Sequence, residues 1–307
     1  MPLDADVAEL VRVLAETGAP ALSDGTVDEA RRNYDAAPKP DPDPLPHVVD
    51  LTVAGPHGEV PIRVYAAVSD PRDLPVVVFF HGGGWVLSSV DGHDPTARRL
   101  AVLTGALVVS VDYRLAPEHP FPAPHDDCWT VTEWLSREAA SIGGDPDRIA
   151  VAGDSAGGNL AAGIAIRARD EGLTLRHQCL IYPCIDSDQA PYASMRENAE
   201  GYFLTAADMD WFWDRYVDPS SRHDPRAVPA RLEDLSGLAP ALVLSAEFDP
   251  LRDEAEVYAS RLAAAGVPVE IVRSPGVVHG FVTRWHTMSR AHEAHEVIAT
   301  TLRRALA

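Results

Sequence analysis

The sequence is short of cysteine, of positive charge and of long apolar runs. Its three cysteines, Cys128, Cys179 and Cys184, are too few for a disulfide framework, and their spacing matches no zinc pattern; small buried thiols in a reducing compartment are expected. Only 26 Lys and Arg stand against 46 Asp and Glu, a net charge of −20. A field of that sign repels phosphate backbones and anionic lipid, which argues against nucleic acid or a membrane surface as partner. No stretch approaches the ~18 uninterrupted apolar residues of a membrane span. The first residues, Met1-Pro-Leu-Asp-Ala-Asp6, carry acids where a signal peptide needs a basic segment, so a soluble cytoplasmic protein is expected. The rest of the composition is that of a globular chain: 46% of the 307 residues are hydrophobic, enough for a core without disulfides or metals.

Helical apolar spacing, with Val7, Leu10, Val11 and Leu14 on one face, predicts helices over 4–17 and about 26–37. The proline- and aspartate-rich stretch 38–46 then breaks the chain, because proline fixes φ and removes a donor. It separates a helical N-terminal element, 1–45, from the main body. Alternating stretches at 47–54 and 59–67 read as strands, and Pro75-Val-Val-Val-Phe-Phe80 as a strand covered on both faces. Further strands at 106–111, 148–153, 176–182, 240–245 and 267–273 alternate with helices at 122–140, 156–171, 251–265 and 287–305. That rhythm predicts an α/β fold with a mostly parallel central sheet and helices on both faces. Residues 185–238, rich in Trp, Tyr, Asp and Pro with one helical candidate around Ala206–Tyr216, break the rhythm. A structureless loop of that length is rare, so an insertion folded over the sheet is expected. It divides the core into 46–184 and 239–307.

Gly153-Asp-Ser-Ala-Gly157 lies between a predicted strand and a predicted helix. That context turns a common pentapeptide into a nucleophile elbow: Ser155 sits on a strained turn with its hydroxyl above the sheet, at a helix N-terminus that favours negative charge. His81-Gly-Gly-Gly-Trp85 follows the apolar strand 75–80. Its glycines free main-chain amides to face a ligand, and in a serine hydrolase Gly83 and Gly84 would join Ala156 in binding a tetrahedral oxyanion. A serine nucleophile needs a base, and the base an orienting carboxylate. Asp249 ends the strand 240–245 segment in Ser245-Ala-Glu-Phe-Asp-Pro250, with Glu247 and Asp253 as competitors. His279, in the loop after 267–273, is the base by position; His286 follows it, and His292 and His295 read as the solvated face of the last helix.

Together with Asp112-Tyr-Arg-Leu-Ala-Pro-Glu-His-Pro-Phe-Pro-Ala123, Asp249-Pro-Leu-Arg-Asp-Glu254 and His279-Gly-Phe281, these segments make the sequence resemble the hormone-sensitive-lipase-like family of α/β-hydrolase esterases, in its Gly-Asp-Ser-Ala-Gly subgroup. The resemblance spans nearly the whole chain. It implies a catalytic Ser155, Asp249 and His279, an oxyanion hole from Gly83, Gly84 and Ala156, and a helical cap built from the N-terminal helices and residues 185–238. It implies a serine carboxylesterase acting on short-to-medium acyl esters through an acyl-enzyme, with no metal or organic cofactor, and a homodimer by analogy. Trp85, Tyr182 and Trp211 are candidate pocket residues; for Tyr182 and Trp211, packing is the competing reading. The Asp112–Ala123 segment is expected to brace the glycine loop. Two other functions stay open: an amidase or deacetylase on the same scaffold, and a ligand receptor resembling the gibberellin receptors, which lose the catalytic histidine. His279 argues against the receptor.

Overall fold

The apolar run at 75–80 forms β3 (Leu74–Phe80) inside an eight-stranded sheet in the computed structural model, which describes residues 2–17 and 22–307. From Val76 onward its side chains alternate and are buried: Val76, Val78 and Phe80 join one core cluster, Val77 and Phe79 the other. The first cluster includes residues of α4 (Ala123–Glu138), α5 (Ala156–Glu171) and α8 (Arg252–Ala264). The second includes residues of α3 (Val90–Thr104) and α9 (Arg290–Ala305). With helices on both faces a strand has no solvated side, which is why the run is continuously apolar.

The other strands are β1 (His47–Gly55), β2 (Gly58–Ala66), β4 (Leu107–Val111), β5 (Gly144–Asp154), β6 (His177–Ile181), β7 (Ala241–Phe248) and β8 (Val269–Val278). Their order is β1-β2-β4-β3-β5-β6-β7-β8. The β1–β2 and β2–β4 pairs are antiparallel and the rest parallel, so the mostly parallel α/β sheet read from the alternation is the one that forms. Parallel pairing lines up the carboxyl ends of β3, β5, β7 and β8, the edge where α/β sheets build their sites. Register tightens this. Phe80 pairs with Gly153 and Phe248 with Val278, so the chain leaves each pair of strands at one level.

α3 has no counterpart among the predicted helices. Ser89 caps it, accepting from the Gly92 amide at 3.2 Å, and Gly105 ends it at φ 69°. Its inward face is made of small residues around Leu100, and Pro95 lies inside it, so neither spacing nor propensity announces a helix.

α1 (Ala5–Thr17) and α2 (Val27–Ala36) form where the spacing predicts them. α1 is pinned to the far end of β8: the Asp4 amide donates to the Gly276 carbonyl at 2.9 Å and its carboxylate pairs with Arg290 at 2.8 Å. α2 lies against the loop after β3, where Arg31 donates to the Val86 carbonyl at 2.9 Å and pairs in a fork with Glu118 at 2.7 Å. Within 185–238 stand α6 (Ala193–Glu197) and α7 (Ala206–Tyr216). α7 starts from a reciprocal cap, Thr205 accepting from the Asp208 amide and Asp208 from the Thr205 amide, and buries Trp211, Phe212, Trp213 and Tyr216. No helix among the described residues is long and apolar enough to cross a membrane.

Candidate active site

β5 ends at Asp154 and α5 begins at Ala156, which leaves Ser155 alone to turn the chain. It does so at φ 56°, ψ −119°, a conformation that costs a residue with a Cβ about 1–3 kcal/mol. The turn is held from both sides: the Ser155 amide donates to Ile181 at 2.9 Å, and its carbonyl accepts from Asn159 at 3.1 Å and Cys184 at 3.3 Å. Gly157 is required by close approach, since a Cβ there would overlap the Phe80 carbonyl.

The β7–β8 register sets Asp249 and His279 side by side. His279 Nδ1 is 2.7 Å from Asp249 Oδ2, and its Nε2 is 2.9 Å from Ser155 Oγ. With the proton on Nδ1, the ring donates to the carboxylate and accepts from the serine hydroxyl. The other Asp249 oxygen accepts from the Leu251 amide at 2.9 Å, and Asn198 holds the Asp249 main-chain carbonyl at 3.1 Å. Asp249 has no exposed surface, while His279 is 6% and Ser155 8% exposed. The line is therefore dry at its acid end and reachable at the serine. Cys184 Sγ lies 3.9 Å from Ser155 Oγ, but burial pushes that thiol well up, so it stays protonated and is no rival nucleophile.

The competing groups are engaged elsewhere. Glu247 accepts from the Gly276 amide at 2.8 Å; Asp253 accepts from the Ser194 amide at 2.7 Å and pairs with Arg252. His286 is exposed, and His292 sits beside Arg99 at 3.4 Å. His295 differs from its expected solvated position: α9 turns it inward against Trp285 at 5.1 Å, where burial pushes its imidazole down to about 3.

The Gly83, Gly84 and Ala156 amides donate to no main-chain acceptor among the described residues, whereas the Gly82 amide is tied to Asp154 Oδ1 at 3.0 Å. Gly84 has φ 59°, and a Cβ there would strike the Phe212 ring, so α7 sits directly on the loop. Asp154 also faces His93 Nε2 at 3.3 Å. Burial raises the Asp154 carboxyl, but His93 and the Gly82 amide outweigh it and hold the group below its usual range. His81 stacks on Tyr113 at 4.3 Å, and the Tyr113 hydroxyl donates to the His81 carbonyl at 2.7 Å. Burial, with His93 nearby, pushes the His81 imidazole down to about 3, so it serves as a neutral packing element. The Asp112–Ala123 segment braces the loop as expected: the Ala116 amide donates to the Trp85 carbonyl at 2.9 Å, and Arg114 is locked to Asp127.

The three candidate pocket residues have different fates. Trp85 is fully buried, stacked on Tyr216 at 4.1 Å and beside Trp213 at 4.6 Å; it is the floor of the loop rather than an open wall. Trp211 is 7% exposed and lies under the Arg215 guanidinium at 3.7 Å. Tyr182 is fully buried with its ring 4.7 Å from that of His279. Three residues of the site were missed in sequence: His93 lies on the unforeseen α3, Asp154 had no signal beyond its place in the elbow, and Arg31 reaches the loop from a distant helix. No cluster of metal-ligating side chains occurs among the described residues.

Residues 77–283 match the family described as an alpha/beta hydrolase fold. The chain is 47% identical over 253 residues to the carboxylesterase NlhH of Mycobacterium tuberculosis, covering 81% of this chain and 79% of that one. It is 43% identical over 279 residues to esterase LipI of the same organism, covering 89% and 87%. Among solved structures, the hyperthermophilic esterase from Pyrobaculum calidifontis superposes with a TM-score of 0.93 at 42% identity, covering all of both chains.

Proposed function

This chain belongs to the hormone-sensitive-lipase-like family of α/β hydrolases and is a carboxylic ester hydrolase; we propose that it works through Ser155 as nucleophile, His279 as acid–base and Asp249 as the orienting carboxylate. The observation that carries this reading is the unbroken line from Asp249 to His279 at 2.7 Å and on to Ser155 at 2.9 Å. As Ser155 Oγ bonds to the ester carbon, His279 Nε2 takes its proton, and the carbonyl oxygen gathers charge facing the Gly83, Gly84 and Ala156 amides. Asp249 keeps the proton on Nδ1 and stabilises the imidazolium. Collapse of the adduct expels the alcohol, which takes the proton from Nε2. Water then repeats the sequence on the acyl-enzyme, restoring Ser155.

Replacing Ser155 with alanine tests it. Turnover of 4-nitrophenyl butyrate should fall by about 10⁴-fold or more, and labelling by an organophosphonate should disappear. Wild-type turnover in the variant, or a label that persists, would refute the assignment.

Short-to-medium acyl chains are the proposed substrates, because Phe212 of α7 presses on Gly84 and roofs the oxyanion loop. We take 1–45 and 185–238 as the cap over a core of 46–184 and 239–307. A series of nitrophenyl esters from acetate to palmitate measures the chain-length limit, and matched amides measure the preference for esters. The proposed homodimer is checked by sedimentation.

A further inference from the structure

In a chain with 46 acids against 26 bases, Arg284 has no acidic partner among the described residues. It ends the short helical turn Phe281–Arg284 that follows His279 and is half-buried. Its guanidinium lies 4.5 Å from the centre of the Phe203 ring. Among the described residues the ionisable groups coupled to it are the phenols of Tyr34 and Tyr182 and the exposed His286, with no carboxylate among them, and burial lowers its pKa. Even a partly buried cation is usually paired with a counter-charge.

The two phenols come from different elements. Tyr182, at the end of β6, lies against His279 at 4.7 Å between ring centres. Its hydroxyl is buried and has no hydrogen-bond partner among the described residues, and its backbone is held at φ 35°. Strained backbones and orphaned buried hydroxyls each need an explanation in a native fold. Tyr34 comes from α2; Ser88 hydrogen-bonds its hydroxyl, and Asp154, next to the nucleophile, acts on it. Phe203 in turn lies 3.5 Å from where a Cβ on Gly280 would stand, so Arg284 and Tyr182 bring two elements to the His279 flank of Ser155. Each offers hydrogen-bond donors, and neither offers a negative charge.

We propose that this flank binds a carboxylate carried by the substrate, so that the esters the enzyme prefers are anionic ones: half-esters of dicarboxylic acids, or esters of acid-bearing alcohols. The assignment rests on the triad reading above. A planar guanidinium matches a carboxylate through two parallel N–H bonds, and stacking on Phe203 leaves the edge of the guanidinium free to make them. The Tyr182 hydroxyl supplies a further donor that is already buried and unused. A net charge of −20 repels anions from the molecule as a whole, so a cation without a carboxylate partner in the turn that follows His279 is a local reversal of the field.

The experiment compares matched charged and neutral esters in the wild type, Arg284→Gln, Arg284→Lys and Tyr182→Phe. One arm places the carboxylate on the acyl side, mono-nitrophenyl glutarate against nitrophenyl valerate. The other places it on the alcohol side, the butyryl ester of 4-hydroxybenzoate against that of 4-cresol. The readout is the charged-to-neutral ratio of kcat/KM within each protein. In the wild type the ratio exceeds one in at least one arm and declines with added salt. Arg284→Gln lowers it about 10- to 100-fold, Arg284→Lys recovers part of the loss, and Tyr182→Phe lowers it by less than Arg284→Gln. A wild-type ratio below one in both arms, or an Arg284→Gln variant that loses charged and neutral turnover alike, overturns the carboxylate assignment while leaving the triad standing. A wild-type enzyme that turns over none of the four esters and escapes the phosphonate label overturns the triad reading, and this inference with it.

Discussion

Truncating Asp154 should loosen the oxyanion loop while leaving the triad in place. Asp154 is 5% exposed, accepts from the Gly82 amide at 3.0 Å and faces His93 at 3.3 Å. Asp154→Ala leaves that amide and the Nε2 edge of His93 without their partner, while His93 Nδ1 keeps Ser88 Oγ at 2.9 Å. An unsatisfied buried group costs about 1–3 kcal/mol. Two are left here, so a loss of about 2–5 kcal/mol is expected. The catalytic effect follows from position. Gly82 directly precedes the two glycine amides proposed to face the oxyanion, and a displacement of about 1 Å at a reacting centre costs about 10²-fold in rate. We therefore expect kcat to fall about 10²-fold, close to the loss of one oxyanion donor. Ser155 should still react with a phosphonate. Asp154→Asn keeps the acceptor for Gly82 through its carboxamide oxygen and should lose only about 10-fold. Stopped-flow bursts with 4-nitrophenyl butyrate give the rates, and urea denaturation gives the stabilities. An alanine variant that is less stable as expected yet keeps wild-type kcat would refute the coupling of Asp154 to the loop.

Gly84→Ala has to place a Cβ in the Phe212 ring from a backbone at φ 59°; kcat should drop about 10²–10³-fold as one amide leaves its position, and Phe212→Ala in the same chain should recover part of the loss in a steady-state assay. Arg31→Ala removes the fork to Glu118 and the bond to Val86; limited proteolysis should then cut the N-terminal region faster, and an unchanged cleavage rate would count against α2 being anchored there. Burial holds His81, His177 and His295 down to about 3, 4 and 3 respectively, below the ~6.5 of an unfolded imidazole. Unfolding thus takes up protons below that value. Stability is full above pH ~6.5 and falls as pH drops from there toward the folded values, by up to about 1.4 kcal/mol per unit for each histidine; urea midpoints that stay flat from neutral pH to about pH 4.5 would contradict the neutral burial of these rings.

How much could be read in advance follows from how local each feature is. The elbow was legible because its geometry is written in consecutive residues: a strand, one strained serine, a helix, and glycines where the chain passes Phe80. Asp249 and His279 were legible as strand-end residues, and the Phe248–Val278 register joins them. The supports were not, since each is a contact between distant segments. α3 escaped because Ala97, Leu100 and Ala101 make its inner face and Pro95 interrupts its propensity, and His93 was lost with it. Trp85 read as a pocket wall because it follows the glycines; its φ of 61° turns the indole down onto Tyr216, a partner that no local pattern could name. His295 read as solvated because the helix around it is rich in charge, yet it stands on the stripe of Ala291, Ile298 and Leu302 that α9 buries, against Trp285. The same division explains why Tyr182 stayed undecided between packing and pocket. It does both: its ring packs on His279, and its hydroxyl is left without a partner. A residue's chemistry can be inferred from its neighbours in the chain, but whether that chemistry is spent on the fold or kept for a ligand depends on the groups that other segments bring to it.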